Sequence, residues 1–525
     1  TILNSKEFDD KENQILKKQV DEAKFAVQRI KDGVNLMESD SRAFDSFKFA
    51  NKAIAWQQVH GRWAANNAEK DEVSGTAPID NPEPMYDGEK PQWRLFQIAF
   101  ILMNLESIAN PKSVNREMVD LLWFPTGGGK TEAYLGLVAF VIAYRRLRGT
   151  NDEGLHTYES FGTAVLMRYT LRLLTVQQFQ RAATLMCACE ELRLKDVTKW
   201  GDFPFQVGLW VGGAVTPNKR KDAEYKKWEI KDSKDQDLAQ ITSNNPYILT
   251  NCPWCGKKLR YSDGQIEGEP AQWRLYCSRN DCTFSKHLDT SPDISIPVVL
   301  VDEDVYSRCP SLIISTVDKF AQIALNTNVR NIFGKVDTWC DYCGFLDGAT
   351  TNHASFHKGK GKKPEDYISK DISVLPPEMI IQDELHLISG PLGTLTGLYE
   401  TAIEYLCSYN GIKPKIIAST ATTRDADNQI QKLFNRKVTK VFPTQILNFG
   451  DTFFSESDSA ESGKKYLGVM ATGKSGLTVL AKVSAVILRR IRQFEEDGTY
   501  EPENLDPYFT LVSYFNSVRE LGGAS

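Results

Sequence analysis

The sequence predicts an α/β fold built on a parallel sheet with helices on both faces, and three observations predict it. From Gln92 onward, short apolar runs alternate with helix-length segments; the runs are Met118–Phe124, Thr163–Met167, Val207–Val211, Leu312–Ser315, Met379–Gln382 and Lys415–Ser419. They are apolar nearly throughout rather than at every second residue, as strands buried on both faces are. The first run ends in the Gly-rich turn Pro125-Thr126-Gly127-Gly128-Gly129-Lys130-Thr131, which opens a helix expected to reach Arg148. The fifth runs directly into Asp383-Glu384-Leu385-His386.

The elements follow in order. Residues 1–63 are predicted helical, because Phe44, Phe47, Ala50 and Ile54 recur at helical spacing between charged residues, and a docking or scaffold role is expected. Residues 64–91 are polar, with several prolines and glycines, and read as a linker. The parallel-sheet unit is assigned to 92–440, interrupted by polar insertions at 213–308 and 340–372. Residues 441–507 are expected to connect it to the beginning of a second such domain at 508–525, whose first strand is Phe509–Tyr514.

Bulk properties narrow the function. A chain of 525 residues exceeds one ordinary domain. Its mean hydropathy of −0.37 describes a water-soluble protein. No run approaches the roughly 18–20 consecutive apolar residues of a membrane helix. The start, Thr1-Ile2-Leu3-Asn4-Ser5-Lys6, has no basic-then-apolar export signal, so a cytoplasmic location is expected; it also has no initiator Met, so earlier residues are expected to precede it. The net charge of −5 argues against a protein that coats nucleic acid by charge alone, so any such contact must come from a local groove or loop.

The Gly-rich turn has the context a phosphate loop needs, between a strand and a helix. Thr126, Gly127, Gly128 and Gly129 would curl the backbone so that its N–H groups face a β-phosphate. Lys130 would reach the β- and γ-phosphates of ATP, and the Thr131 hydroxyl would bind Mg²⁺. Asp383 would hold the Mg²⁺ through its water shell, Glu384 would orient and deprotonate the attacking water, and His386 would couple nucleotide state to a neighbouring segment.

Six of the ten cysteines form spaced pairs, which in a chain without an export signal favours metal over disulfides. Cys252, Cys255, Cys277 and Cys282 have the form of a zinc ribbon, a closed thiolate shell for structural Zn²⁺. The expected task of that metal is to hold an insertion too polar to build its own core. Cys340, Cys343, His353 and His357 form a second candidate zinc set. Beside them, Lys358, Lys360, Lys362 and Lys363 make either a solvated loop or a phosphate contact.

Read together, these segments resemble superfamily 2 helicases of the DEAD/DEAH type, with a RecA-like P-loop motor domain. Arg94-Leu95-Phe96-Gln97 looks like that family's upstream R-x-x-Q element, whose glutamine reads adenine. Arg172 and Gln177 align with a strand-contacting motif, although its leading proline is absent here. Gly212, and then Thr316 with Lys319, resemble segments that touch the nucleic-acid backbone. Ser419, Thr420, Ala421 and Thr422 resemble the motif that links hydrolysis to strand movement. The wording of Phe124–Tyr134, Gln382–Gly393 and Ser513–Ala524 is similar to the DrmA-type helicase subunits of the DISARM anti-phage system. That resemblance implies foreign DNA as substrate and a DrmB-type partner. It also implies second-domain arginines for the γ-phosphate, which no segment up to Ser525 supplies. The competing readings are a P-loop switch or sensor NTPase and a non-catalytic DNA-binding subunit.

Overall fold

A computed structural model describes residues 9–67, 91–124, 127–170, 172–233, 237–241, 243–286, 294–347, 367–420, 426–436, 439–444, 446, 451–456, 465–470, 472–498, 500–515 and 518–524. The chain divides into two compact units, Thr1–Glu456 and Ser457–Ser525.

The first unit opens with two long helices, α1 (Asp10–Ser39) and α2 (Ser41–Asn67). Asp9 and Glu12 cap α1 reciprocally, each side chain taking the other's backbone N–H at 2.7 and 2.9 Å. Helix α3 (Leu95–Ala109) leads into strand β1 (Val119–Trp123), helix α4 (Lys130–Arg148), β2 (Val165–Tyr169), α5 (Arg172–Lys195), the short α6 (Val197–Trp200) and β3 (Val207–Trp210). The first insertion contributes α7 (Arg220–Asp232), the hairpin β4 (Gly264–Glu267) with β5 (Gln272–Leu275), then β6 (Val298–Val299) and α8 (Asp302–Arg308). After β7 (Leu312–Thr316), the small antiparallel sheet of β8 (Thr338–Cys340), β9 (Gly344–Leu346) and β10 (Ile368–Lys370) belongs to the second insertion. The core then resumes with β11 (Met379–Gln382), α9 (Gly390–Cys407), β12 (Lys415–Thr420), α10 (Ala426–Phe434) and β13 (Thr439–Phe442).

Eight strands form one sheet in the order β13-β1-β12-β11-β2-β7-β3-β6. Every neighbouring pair in it is parallel. Successive residues feed opposite faces: Leu122, Met167, Ile381 and Ile417 enter the core beneath α2–α5, whereas Leu121, Leu166, Ile380 and Ile416 enter the core beneath α8–α10. This is why the strands read as continuous apolar runs. The edge strands β6 and β13 were not expected, because two- and four-residue segments beside prolines give almost no periodic signal.

The first insertion departs from expectation in one respect. It shares the main hydrophobic core instead of lacking one: Tyr247, Leu249, Trp254, Leu259, Trp273 and Phe284 are buried in the same cluster as α4 and α5. Its polar surface hid that apolar minority in the sequence. The N-terminal helices belong to the same cluster through Phe49, Ala53, Ile54 and Trp56.

In the second unit, α11 (Gly476–Glu496), α12 (Pro502–Leu505) and α13 (Val518–Ala524) are helical. Phe509–Tyr514, expected as a strand, pairs with nothing and is not a strand. A strand needs a hydrogen-bonded neighbour, and the described residues of this unit provide none.

Candidate nucleotide-binding site

The sheet order places β12 between β1 and β11, so the turn after Trp123 and the carboxylates after Gln382 face one another across a single strand. Open α/β sheets bind ligands at this carboxyl edge.

Pro125 and Thr126 of the turn lie outside the described residues. Gly127 and Gly129 have φ of +80° and +92°, a region that disfavours any side chain. A Cβ on Gly129 would also stand 2.7 Å from Gln97 Nε2. Lys130 and Thr131 form the first turn of α4, where the helix dipole favours an anion. Lys130 Nζ donates to Phe124 O at 2.7 Å.

The R-x-x-Q element lies against this loop. Arg94 Nη1 donates to Gly128 O and Gln97 Nε2 to Gly129 O, both at 2.8 Å. Gln97 Oε1 accepts the Arg94 N–H, also at 2.8 Å. Gln97, expected to read adenine, therefore has both ends of its amide engaged as a clasp on the phosphate loop.

On the acidic side, Asp383 is buried and Glu384 half-buried. Asp383 Oδ1 accepts the Ser419 hydroxyl and, at 2.9 Å, the Glu384 N–H. Glu384 sits at φ +48°, a left-handed conformation that costs a non-glycine residue about 1 kcal/mol or more and collects at functional sites. Burial pushes its carboxyl above the usual range and the Asp383 charge adds to this, while Lys130 and His386 oppose it. A raised pKa suits a group that must take a proton from water. His386 Nδ1 lies 3.4 Å from Glu384 Oε2 and 3.2 Å from Thr420 Oγ1 on β12. Ala421 and Thr422 lie outside the described residues.

Sequence reasoning missed two neighbours of this site, Tyr134 and Tyr169, and, for Ser419 of the coupling motif, the carboxylate it bonds. Ser419 is the hydroxyl partner of Asp383. Tyr134 and Tyr169 are fully buried, and their phenols are pushed far above the ordinary value by burial and then by the Asp383 charge. Tyr134 was findable, since it stands four residues after Lys130 and shares its helix face.

The expected strand-contacting segments follow β2, β3 and β7, which are neighbours in the sheet order β2-β7-β3. Arg172 opens α5, with its side chain outside the described residues, and Gln177 is exposed on the same helix. Gly212 adopts φ +94°. Thr316 is buried, and Lys319 is paired with Asp302 at 2.6 Å, so its ammonium is already engaged.

The four cysteines of the first insertion converge. Their sulfurs all lie within 4.8 Å of one another, with Cys252–Cys282 at 4.0 Å and Cys255–Cys277 at 3.5 Å, and all four are buried free thiols. A tetrahedral Zn²⁺ with Zn–S near 2.3 Å requires sulfur spacings of roughly 3.8 Å, so the set fits that metal. The knuckle docks on α2: His60 stacks on Trp254 at 3.2 Å between ring centroids, and its Nδ1 lies 2.8 Å from Trp254 O. Cys340 and Cys343 are described; His353, His357 and Lys358–Lys363 lie outside the described residues.

The chain is 40% identical over 509 residues, 94% of its length, to the DISARM protein DrmA of Bacillus paralicheniformis. The match covers 43% of that protein, so the chain spans less than half the length of the curated relative. The DrmA resemblance read from three short segments thus holds along nearly the whole chain. No protein-family model matches. Crystal structures of the DUF1998 helicase MrfA, free and bound to DNA, align with 68% of this chain at 12% identity, with TM-scores of 0.29 and 0.30 and 31% and 28% of those chains covered.

Proposed function

We propose that this chain is the ATP-binding motor core of a DISARM-type defence helicase that translocates along foreign DNA. One observation carries the reading: β12 alone separates the phosphate loop from Asp383 and Glu384, at the carboxyl edge of a parallel sheet. Similarity to DrmA supports the defence context.

In this reading the backbone N–H groups of Gly127–Gly129 and the Lys130 ammonium hold the phosphates. Thr131 and Asp383 would hold Mg²⁺, which supplies charge neutralisation at the phosphates. Ser419 fixes the rotamer of Asp383, and Glu384 takes the proton of the attacking water. His386 lies between Glu384 and Thr420, so loss of the γ-phosphate is sensed at the end of β12. The segments after β2, β3 and β7 lie along the other half of the same edge and face the DNA backbone, which a motor grips without reading sequence. Lys319 exchanges Asp302 for phosphate when it does so.

Zn²⁺ in the Cys252/Cys255/Cys277/Cys282 shell braces the insertion. A second zinc between Cys340, Cys343, His353 and His357 is supported by one recurring feature. Each Cys-x-x-Cys pair is followed by a left-handed glycine, Gly256 at φ +79° and Gly344 at φ +83°. The expected partner is a DrmB-type subunit, and the expected compartment is the cytoplasm; among the described residues no helix is long and apolar enough to cross a membrane.

The test is ATP turnover with and without DNA, together with a nucleotide titration. Nucleotide binding with DNA-stimulated turnover supports the motor. Binding without DNA stimulation would favour a switch or sensor NTPase, and no binding a non-catalytic DNA-binding subunit.

A further inference from the structure

Outside the nucleotide site itself, the chain makes an unusual connection between its N-terminal helices and the phosphate loop. Asn51, in the middle of α2, donates Nδ2–H to Phe47 O at 2.8 Å. That bond orients its amide so that Oδ1 faces away from the helix axis, where it accepts the indole N–H of Trp93 at 2.6 Å. Trp93 immediately precedes Arg94. Its ring rests on α4 at Gly136, where a Cβ would come within 2.9 Å of Trp93 Cη2. Arg94 and Gln97 in turn hold the carbonyls of Gly128 and Gly129.

Helix α2 can serve as a fixed reference because it is anchored on both sides of Asn51. Asp45 pairs with Lys199 at 2.7 Å. At the other end His60 stacks on Trp254 of the cysteine knuckle, and Gly256 lies so close to Ala64 O that a Cβ would stand 2.7 Å from it. The stretch 91–94 carries no regular secondary structure of its own, so the placement of Arg94, and of the first turn of α3 that carries Gln97, depends in part on what holds Trp93.

We propose that Asn51 is a positioning residue for the nucleotide site: through Trp93 it sets the Arg94/Gln97 clasp, and the clasp holds the phosphate loop in its nucleotide-accepting shape. The N-terminal helices are thereby part of the ATP site rather than a scaffold beside it. This rests on the nucleotide-binding reading above.

The test is a double-mutant cycle on the affinity of the 525-residue chain for a non-hydrolysable ATP analogue, with unfolding temperature and zinc content measured alongside. Asn51→Leu keeps the branched side-chain shape and removes the acceptor along with the Nδ2 donor; Gln97→Ala removes one arm of the clasp. Asn51→Leu is expected to weaken the analogue about 5- to 10-fold in the wild-type background, the fold-change equivalent to one lost hydrogen bond. In the Gln97→Ala background it is expected to weaken the analogue by a clearly smaller factor, because one of the clasp's two bonds to the loop is already cut. Trp93→Phe, which keeps an aromatic ring but loses the N–H, should reproduce the Asn51→Leu effect. Unchanged affinity in Asn51→Leu overturns the proposal, as does an equal loss in both backgrounds, the pattern of a purely structural role. A wild-type chain that binds no analogue defeats the nucleotide reading itself, and this proposal with it.

Discussion

Lys415 and Lys130 are buried lysines at opposite edges of one sheet, and their surroundings differ in kind. Lys415 opens β12, fully enclosed, and donates to Asp120 at 2.6 Å, Met118 O at 2.8 Å and Asn115 O at 2.9 Å. Its three N–H groups are all used. Asp120 also takes a two-pronged bond from Arg29 of α1 at 2.6 and 2.9 Å. Burial still pushes the Lys415 ammonium down to about 8, with Asp120 opposing the shift. Lys130, beyond the carboxyl end of β1, donates to a single acceptor among the described residues, Phe124 O. The saturated edge holds the fold together; in the proposed reading the other edge keeps the Lys130 ammonium and the Glu384 carboxylate for a ligand.

Four experiments would break or sharpen that contrast. Lys130→Ala is expected to abolish ATP turnover while costing about 1 kcal/mol or less of stability, the worth of its one bond; turnover at the wild-type rate would remove the phosphate loop's assignment. Metal analysis comes next, since a cation among the four buried thiols would be a third way to settle charge. Cys255→Ser should lose the zinc of the first cluster and melt at lower temperature than the parent chain. Asp120→Asn is the mirror of the lysine change: it leaves Arg29 and Lys415 buried around a neutral group and should cost about 3–5 kcal/mol in urea unfolding. The folded fraction of that variant should bind nucleotide as the parent does.

The smallest effect is one of pH. Asp304 is fully buried against one cation, Arg220, and the Trp273 N–H at 2.8 Å, and burial pushes its carboxyl up from 3.8 to about 6. Its protonated form is the one the fold favours. The stability it contributes is therefore fully present below pH 3.8 and lost as pH rises through about 6. Asp304→Asn should flatten that window by roughly 2–3 kcal/mol. Asp120 behaves oppositely: burial opposes its ionisation, but Lys415 and Arg29 outweigh it and hold the carboxyl below its usual value. Its contribution is present above pH 3.8 and lost as pH falls through the lower folded value. Stability measured from pH 3 to 7 in the two variants should bend in opposite directions.

How much of this was legible in the sequence follows from where each signal lives. The six strands announced themselves because double-sided burial writes itself as an unbroken apolar run. The phosphate loop, the acidic strand end and the four cysteines carried local spacing that chemistry constrains. The clasp was visible as Arg94 and Gln97, but its grip on Gly128 and Gly129 was not, since nothing in residue 94 points to residue 128. Long-range pairs such as Arg29 with Asp120, or His60 with Trp254, leave no local trace: each residue alone reads as a helix charge or a surface ring. Phe509–Tyr514 failed for the complementary reason, because an apolar run states a preference and a strand requires a neighbour.

The Arg29–Asp120–Lys415 cluster also sets a timetable. Helix α1 is made before Asp120, and Lys415 is added only after most of the first unit has been synthesised. At about 5–20 residues per second the interval between Arg29 and Lys415 is on the order of 20–80 s. Throughout that interval Arg29 and Asp120 are without their third member, and the apolar underside of the first two helices waits for a sheet that does not yet exist. The docking of α1 on the sheet is therefore completed only once β12 has left the ribosome.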